Sequence, residues 1–388
     1  MFSCKQKVGG QLILLAENKQ LSTRNGVLYY NDMPFEGTLK RFDEVNQTSN
    51  VTTYINGQKD GEEKKWYTNS VLAEVRYYQN GEKVGTHKAW FTNGQQKFEY
   101  PYSQNGVYHG TMKEWYTNGQ LVKEFNYING RESGTQKMWL SNGNIRANYT
   151  VVNGERFGLI GLKKCYSVKT KWWKIIYTYY LQYWCFFACK TEQKIDKEVT
   201  LPFFNSALFT PEWISENATI YKAIHKIPAF EYTNQEGEKV TNQTYEGKIY
   251  VADFFFTSCP GICPRLAKNM GALQEVFKND KDVLFLSHSV TPEKDSVSVL
   301  KEYGIENKVN PEKWNLVTGN KKEIYTIARQ GYFADEDFVK TQDEDAFIHT
   351  ENFVLIDKKG RIRGVYNGTL AVEKDRIIRH IELLKKEV

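Results

Sequence analysis

Lys248-Ile249-Tyr250-Val251-Ala252-Asp253-Phe254-Phe255-Phe256 runs into Thr257-Ser258-Cys259-Pro260-Gly261-Ile262-Cys263-Pro264, and this stretch decides the fold of the second half of the chain. Its first nine residues form a mostly apolar run of strand length, as a central strand buried on both faces requires. Arg265 to Phe277 then spaces its apolar residues as an amphipathic helix does. The cysteines therefore sit on a strand-to-helix turn, with spacing CxxxC. In the first turn of a helix, residues i and i+4 share a face, so the two sulfurs can converge on one metal ion as well as form a disulfide.

A strand that ends in a cysteine-bearing turn and continues as a helix is the thioredoxin arrangement, in which the helix N-terminus favours thiolate. Two soft thiolates select Cu(I), and an added imidazole gives a three-coordinate site that also accepts Cu(II). The third ligand has to come from elsewhere in the fold. His349, in Phe347-Ile348-His349-Thr350-Glu351-Asn352 before the strand Phe353-Val354-Leu355-Ile356-Asp357, is the candidate. His288 and His225 read as structural histidines, although His288 stands at a strand end from which the site is approachable.

With these motifs in place, residues 199–388 resemble the Sco/SenC family of copper-binding thioredoxin-fold proteins, which help assemble the binuclear copper centre of cytochrome c oxidase. The matching segments are Asp253–Pro264, Leu286-Ser287-His288-Ser289-Val290-Thr291-Pro292-Glu293-Lys294-Asp295, and His349 with its strand. The resemblance implies Cys259, Cys263 and His349 as copper ligands, and a cytochrome c oxidase copper-site subunit or another cuproprotein as the partner. Many relatives carry Asp where this chain has Thr291. The implied role is a metallochaperone rather than an enzyme: reduced Cys259 and Cys263 with neutral His349 take up copper, and a partner's thiolates extract it. A Cys259–Cys263 disulfide would block loading, so a thiol reductant is also implied. The alternative function is thiol-disulfide exchange, with Cys259 attacking and Cys263 resolving. Such oxidoreductases usually carry CxxC and a cis-proline, and no proline stands immediately before Phe353.

The first half repeats. Trp66, Trp90, Trp115 and Trp139 are 24, 25 and 24 residues apart, and Gly37, Gly61, Gly85, Gly110, Gly134 and Gly158 keep the same beat. The unit, roughly Y-x-N-G-x-x-x-G-x-x-x-x-W-Y-x-N-G, predicts two short antiparallel strands per repeat, stacked into a long single-layer sheet. Turns such as Thr92-Asn93-Gly94, Thr117-Asn118-Gly119 and Ser141-Asn142-Gly143 are expected to be type I′, with positive φ at both central residues. Residues 27–160 resemble the MORN repeat and its relatives in bacterial antitoxin-like proteins. That implies a protein or membrane contact surface or a spacer, and no His, Cys or carboxylate recurs in phase to mark a site.

Between the halves, five lysines from Lys163 to Lys174 lead into the aromatic and apolar run Ile175–Cys189, followed by polar Lys190-Thr191-Glu192. A basic segment, an apolar run and a small residue before the end have the shape of a secretory signal. Phe187-Ala188-Cys189-Lys190 resembles the end of a bacterial lipoprotein signal, and Met1-Phe2-Ser3-Cys4-Lys5 the tail of another. Cys189 and Cys4 are the candidate lipidation sites. A single membrane span, slightly short of the roughly 20 residues a bilayer needs, is the alternative. All these readings imply a membrane-associated protein whose C-terminal domain lies outside the cytoplasm, on the periplasmic side of a bacterial inner membrane.

The bulk numbers fit this division. A chain of 388 residues exceeds one ordinary core, given roughly 100–200 residues per domain. The expected organisation is an N-terminal segment at 1–26, hairpin repeats at 27–160, a signal-like linker at 161–198 and the copper domain at 199–388. The fold class is thus an all-β MORN-like array followed by an α/β thioredoxin-like fold. Net charge is +6, but the charges are interspersed, without the basic block that phosphate backbones reward, which argues against nucleic acid as a partner. Six cysteines at these spacings do not make a disulfide scaffold.

Overall fold

The computed structural model describes residues 6–8, 11–45, 47–161, 200–334, 348 and 350–387. Among them, the first half forms a sheet of thirteen strands and a small separate sheet of three, Leu21–Arg24, Val27–Tyr30 and Met33–Pro34. From Gly37–Asp43 onward each strand pairs antiparallel with its sequence neighbour, through Thr48–Ile55, Gln58–Tyr67, Leu72–Gln79 and on to Glu155–Leu159. This is the predicted repeat array.

The turns fall into two kinds, which corrects one expectation. At Asn56-Gly57, Asn80-Gly81, Asn129-Gly130 and Asn153-Gly154 both residues have positive φ, between 48° and 83°, as type I′ hairpins require. At Asn93-Gly94, Asn118-Gly119 and Asn142-Gly143 only the glycine does. Here a wider loop closes through Phe91 N–H to Gln95 O, and the register shifts beside Trp90, Trp115 and Trp139. Each asparagine of this second kind takes its neighbour's amide instead, as Asn118 Oδ1 does from Gln120 N at 3.0 Å, an Asx turn. Its other end reaches across the period: Asn69 Nδ2 donates to Thr92 O, Asn93 to Thr117 O and Asn118 to Ser141 O. Tyr67 and Tyr116 likewise donate to the backbone carbonyls of Trp90 and Trp139. The beat in the sequence is thus a ladder of bonds from one repeat to the next, as nearest-neighbour stability in a repeat protein requires.

We label the elements that position the site. They are β1 (Ile145–Val152), β2 (Glu155–Leu159), β3 (Glu231–Asn234), β4 (Lys239–Thr241), β5 (Ile249–Phe255), β6 (Val283–Ser289), β7 (Trp314–Thr318), β8 (Asn352–Ile356) and β9 (Ile362–Asn367). The helices are α1 (Cys263–Val276), α2 (Val297–Glu306), α3 (Lys321–Thr326) and α4 (Glu373–Lys386). Strands β3 to β9 form a second sheet, ordered β4-β3-β7-β6-β5-β8-β9. β5, β6 and β7 are parallel, β8 pairs antiparallel with β5, and β9 pairs antiparallel with β8. A parallel βαβ unit flanked by an antiparallel hairpin and a closing helix is the thioredoxin-like fold.

Every residue of β5 is buried, which is why its sequence reads as an apolar run without alternation. One apolar cluster gathers Leu266, Met270 and Leu273 of α1 with Ile377 and Ile381 of α4. The other lies around Tyr232, Phe254, Ile324 and Tyr332. Burying side chains of this size contributes about 1.5–3 kcal/mol each.

Candidate metal and thiol centre

β5 ends at Phe255, and α1 begins at Cys263 with Pro264 in its first turn, where the missing N–H costs nothing. The helix has no side-chain cap, so its leading amides need another acceptor. Cys259 supplies it. Its sulfur accepts from the backbone N–H groups of Gly261, Ile262 and Cys263, and the Cys263 thiol is its hydrogen-bond neighbour. Both cysteines are reduced and buried, at 8% and 4% exposure.

The environment splits the pair. Burial works against the Cys259 thiolate, but the hydrogen bonds from Cys263 and the helix amides outweigh it and lower the pKa. The Cys263 thiol is pushed up to about 12, first by burial and then by the bond to Cys259. One sulfur is prepared as a thiolate while the other keeps its proton until a metal or an oxidant takes its place.

Beneath the pair lie groups that no sequence motif assigned. Asp253, on β5, is 2% exposed and accepts from Ser287 Oγ at 2.5 Å, while Trp314 Nε1 donates to Ser287 Oγ at 2.8 Å. Burial raises the Asp253 carboxyl to about 7, against the opposing bond from Ser287. Its charge also reaches Cys263 and the phenol of Tyr303 on α2. A lone acid in an apolar strand was the signal that could have found it.

The loop before Cys259 is held by Asp295. This buried carboxylate accepts from Thr257 N at 3.3 Å, Thr257 Oγ1 at 2.6 Å, Ser289 Oγ at 2.5 Å and Thr291 Oγ1 at 3.0 Å. Thr291 is thus one of the donors that hold Asp295.

Of the histidines, His288 faces away from the thiols. Strand alternation puts Asp253 and Ser287 on one face and their neighbours Phe254 and His288 on the other. His288 is fully buried, lies 5.0 Å from and nearly parallel to the Phe254 ring, and has no hydrogen-bond partner at either nitrogen. His225 Nε2 is satisfied by Gly331 O at 2.7 Å. His349 lies outside the described residues, as do Cys4 and Cys189 and the whole signal-like run. Its attachment is informative nevertheless. The register Tyr250↔Ile356, Ala252↔Val354 brings the start of β8, three residues after His349, to the end of the sheet where the cysteine turn begins.

The site is therefore that of a thioredoxin-fold protein carrying a reduced, electrostatically split thiol pair at a helix N-terminus. Comparison with known proteins narrows this. The family model for SCO1/SenC matches residues 219–385, and that for the MORN repeat variant matches residues 59–80 and 108–129. The SCO1 protein homolog of Bacillus subtilis is 31% identical over 160 residues, 41% of this chain and 82% of that protein. A SCO2-like protein of Rickettsia typhi is 32% identical, over 40% of this chain and 77% of that one. Among solved structures, a SCO1/SenC family lipoprotein from Bacillus anthracis is 31% identical, covering 42% of this chain and 96% of that chain with a TM-score of 0.37. Arabidopsis thaliana ScoI, solved with copper bound, is 27% identical, covering 40% and 97% with a TM-score of 0.32. The chain belongs to the SCO1/SenC family, with a MORN-type array ahead of its family domain.

Proposed function

We propose that this protein is a copper-binding metallochaperone that takes copper as cargo on Cys259, Cys263 and His349 and passes it to the copper site of cytochrome c oxidase. The observation that carries the reading is the buried reduced thiol pair at the N-terminus of α1, placed at the sheet end that β8 approaches. Two sulfurs and an imidazole form a donor set suited to copper. Kinship with BsSco, a member of the Sco family of cytochrome c oxidase assembly proteins, supports the recipient. Delivery proceeds by ligand exchange: a partner thiolate replaces one sulfur at a time, and the departing Cys263 regains its proton. The domain works outside the cytoplasm and is held at a membrane by its signal-like segments. The anchor in this reading is the signal-like segment at 161–198 or lipid on Cys189 or Cys4; among the described residues no helix is long and apolar enough to cross a membrane.

One observation favours a second reading. A lowered Cys259 beside a raised Cys263 is also what thiol-disulfide exchange uses. The Cys259 thiolate attacks a substrate disulfide and expels one thiolate. Cys263 then gives up its proton and displaces the second, leaving the Cys259–Cys263 disulfide for a thiol reductant to reopen.

The deciding experiment is copper stoichiometry and the optical spectrum of the reduced full chain beside Cys259→Ser, Cys263→Ser and His349→Ala. One copper per chain, with a thiolate charge-transfer band that each substitution weakens, supports the chaperone. No copper uptake by a chain that still reduces protein disulfides supports the oxidoreductase.

A further inference from the structure

The repeat array does not end at the edge of the copper domain; its last hairpin is built into it. Phe157, on β2, is 1% exposed. Its ring stacks on His380 of α4 at 5.4 Å and 15°, meets Trp213 edge-on at 5.5 Å, and joins the apolar cluster that holds α1, α4 and both site cysteines. The flanking backbone is gripped as well. Arg376 Nη1 donates to Gly158 O at 2.9 Å and Arg156 O at 3.4 Å, while its Nε is fixed by Glu373 at 2.6 Å.

Two further contacts extend the seam. Arg379 pairs with Glu155 at 2.8 Å, and Asn148 Nδ2, on β1, donates to Leu208 O at 2.7 Å and Thr210 Oγ1 at 2.9 Å. At Gly158, φ is +112°, and a Cβ would stand 2.5 Å from Asn148 O and 3.3 Å from Pro211. The positive φ and the contact with Asn148 O make glycine a requirement of the hairpin itself, and Pro211 of the copper domain packs against the same spot.

We propose that β1 and β2 are a structural part of the copper domain, so that the domain carries a second interaction surface on α4 whose occupant is this chain's own last repeat. Without the hairpin, Arg376 loses two carbonyl acceptors, and His380 loses the ring that covers it. Exposing that apolar seat to water is costly. The functional unit then begins near Ile145 rather than near residue 199. The array becomes a rigid extension of the domain, and anything bound along it is held at a fixed position relative to Cys259 and Cys263. This holds whichever chemistry the thiols perform.

Hydrogen exchange on the full chain tests the coupling, because locally linked segments open together. Phe157→Asp should speed exchange of the 373–386 amides at least tenfold while the repeats between residues 58 and 139 keep their protection. In the reciprocal direction, Arg376→Gln should do the same to residues 145–159. Charge reversal guards against simple misfolding: Glu155→Lys and Arg379→Glu should each loosen the seam, and the double variant should restore it. Exchange of 373–386 within twofold of wild type in Phe157→Asp, or no rescue in the double variant, would overturn the proposal.

Discussion

Ser287 Oγ donates to Asp253 Oδ1 at 2.5 Å across two parallel strands, directly under the turn that carries the thiols. The carboxyl is raised to about 7 from an ordinary value of 3.8, so the folded state binds its proton more tightly than the unfolded state does. The associated stability is complete at low pH and is lost as pH rises from about 4 to about 7. Every tenfold difference in proton affinity between the two states is worth roughly 1.4 kcal/mol, which makes the loss on the order of a few kcal/mol. Asp253→Asn keeps the acceptor for Ser287 and removes the titration. Urea midpoints from pH 4 to 8 should therefore show the wild type losing ground to the variant as pH rises; parallel curves would refute the assignment.

His288 is the opposite case. It is buried against Phe254 with both nitrogens unpartnered, and burial lowers its pKa to about 3 from 6.5. The native state keeps the ring neutral, so stability is complete above about pH 6.5 and falls as pH drops toward 3. His288→Phe replaces two unsatisfied polar atoms with an apolar ring of similar shape. It should stabilise the chain by about 1–3 kcal/mol at neutral pH, and more in acid. A calorimetric Tm below that of wild type at pH 5 would contradict this.

The periodic and the covalently local features were legible in the sequence, and the long-range polar ones were not. The array announced itself because Trp90, Trp115 and Trp139 recur, and β5 because its apolar run has no alternation. The turn chemistry was half legible. Asn-Gly marks both kinds of turn, but positive φ at the asparagine depends on whether Asn56 closes a two-residue hairpin or Asn93 a wider loop with a bulge beside Trp90. Asp295 was visible only as part of a motif. That four donors converge on it follows from how β6 brings Ser289 and Thr291 to Thr257, which no local pattern records.

That convergence carries a third prediction. Asp295→Ala would leave the Thr257 amide and three hydroxyls without their acceptor in a buried site. At about 1–3 kcal/mol for an unsatisfied buried group, partly relieved by entering water, the cost should be about 2–4 kcal/mol in chemical denaturation. The damage should concentrate at the cysteine turn, because Thr257 is two residues from Cys259. Faster exchange of the 257–263 amides than of those in β5 would bear this out, whereas uniform loosening would point to general destabilisation.

The split between the two thiols predicts the order in which they react. Only the thiolate is alkylated, and the helix amides lower the Cys259 pKa while Cys263 is held at about 12. Brief treatment of the reduced chain with iodoacetamide at pH 7.5, read by peptide mass spectrometry, should label Cys259 well ahead of Cys263. Cys263→Ser retains the amide donors and exchanges a thiol neighbour for a hydroxyl, so Cys259 should stay reactive. Cys259→Ser should leave Cys263 nearly inert, because burial still opposes its thiolate. Copper added before the reagent should protect the wild type far more than either serine variant, since capture by both sulfurs removes the nucleophile that attack requires. Equal labelling of the two cysteines in the absence of metal would show that the helix N-terminus does not set their order, and that exposure alone governs access.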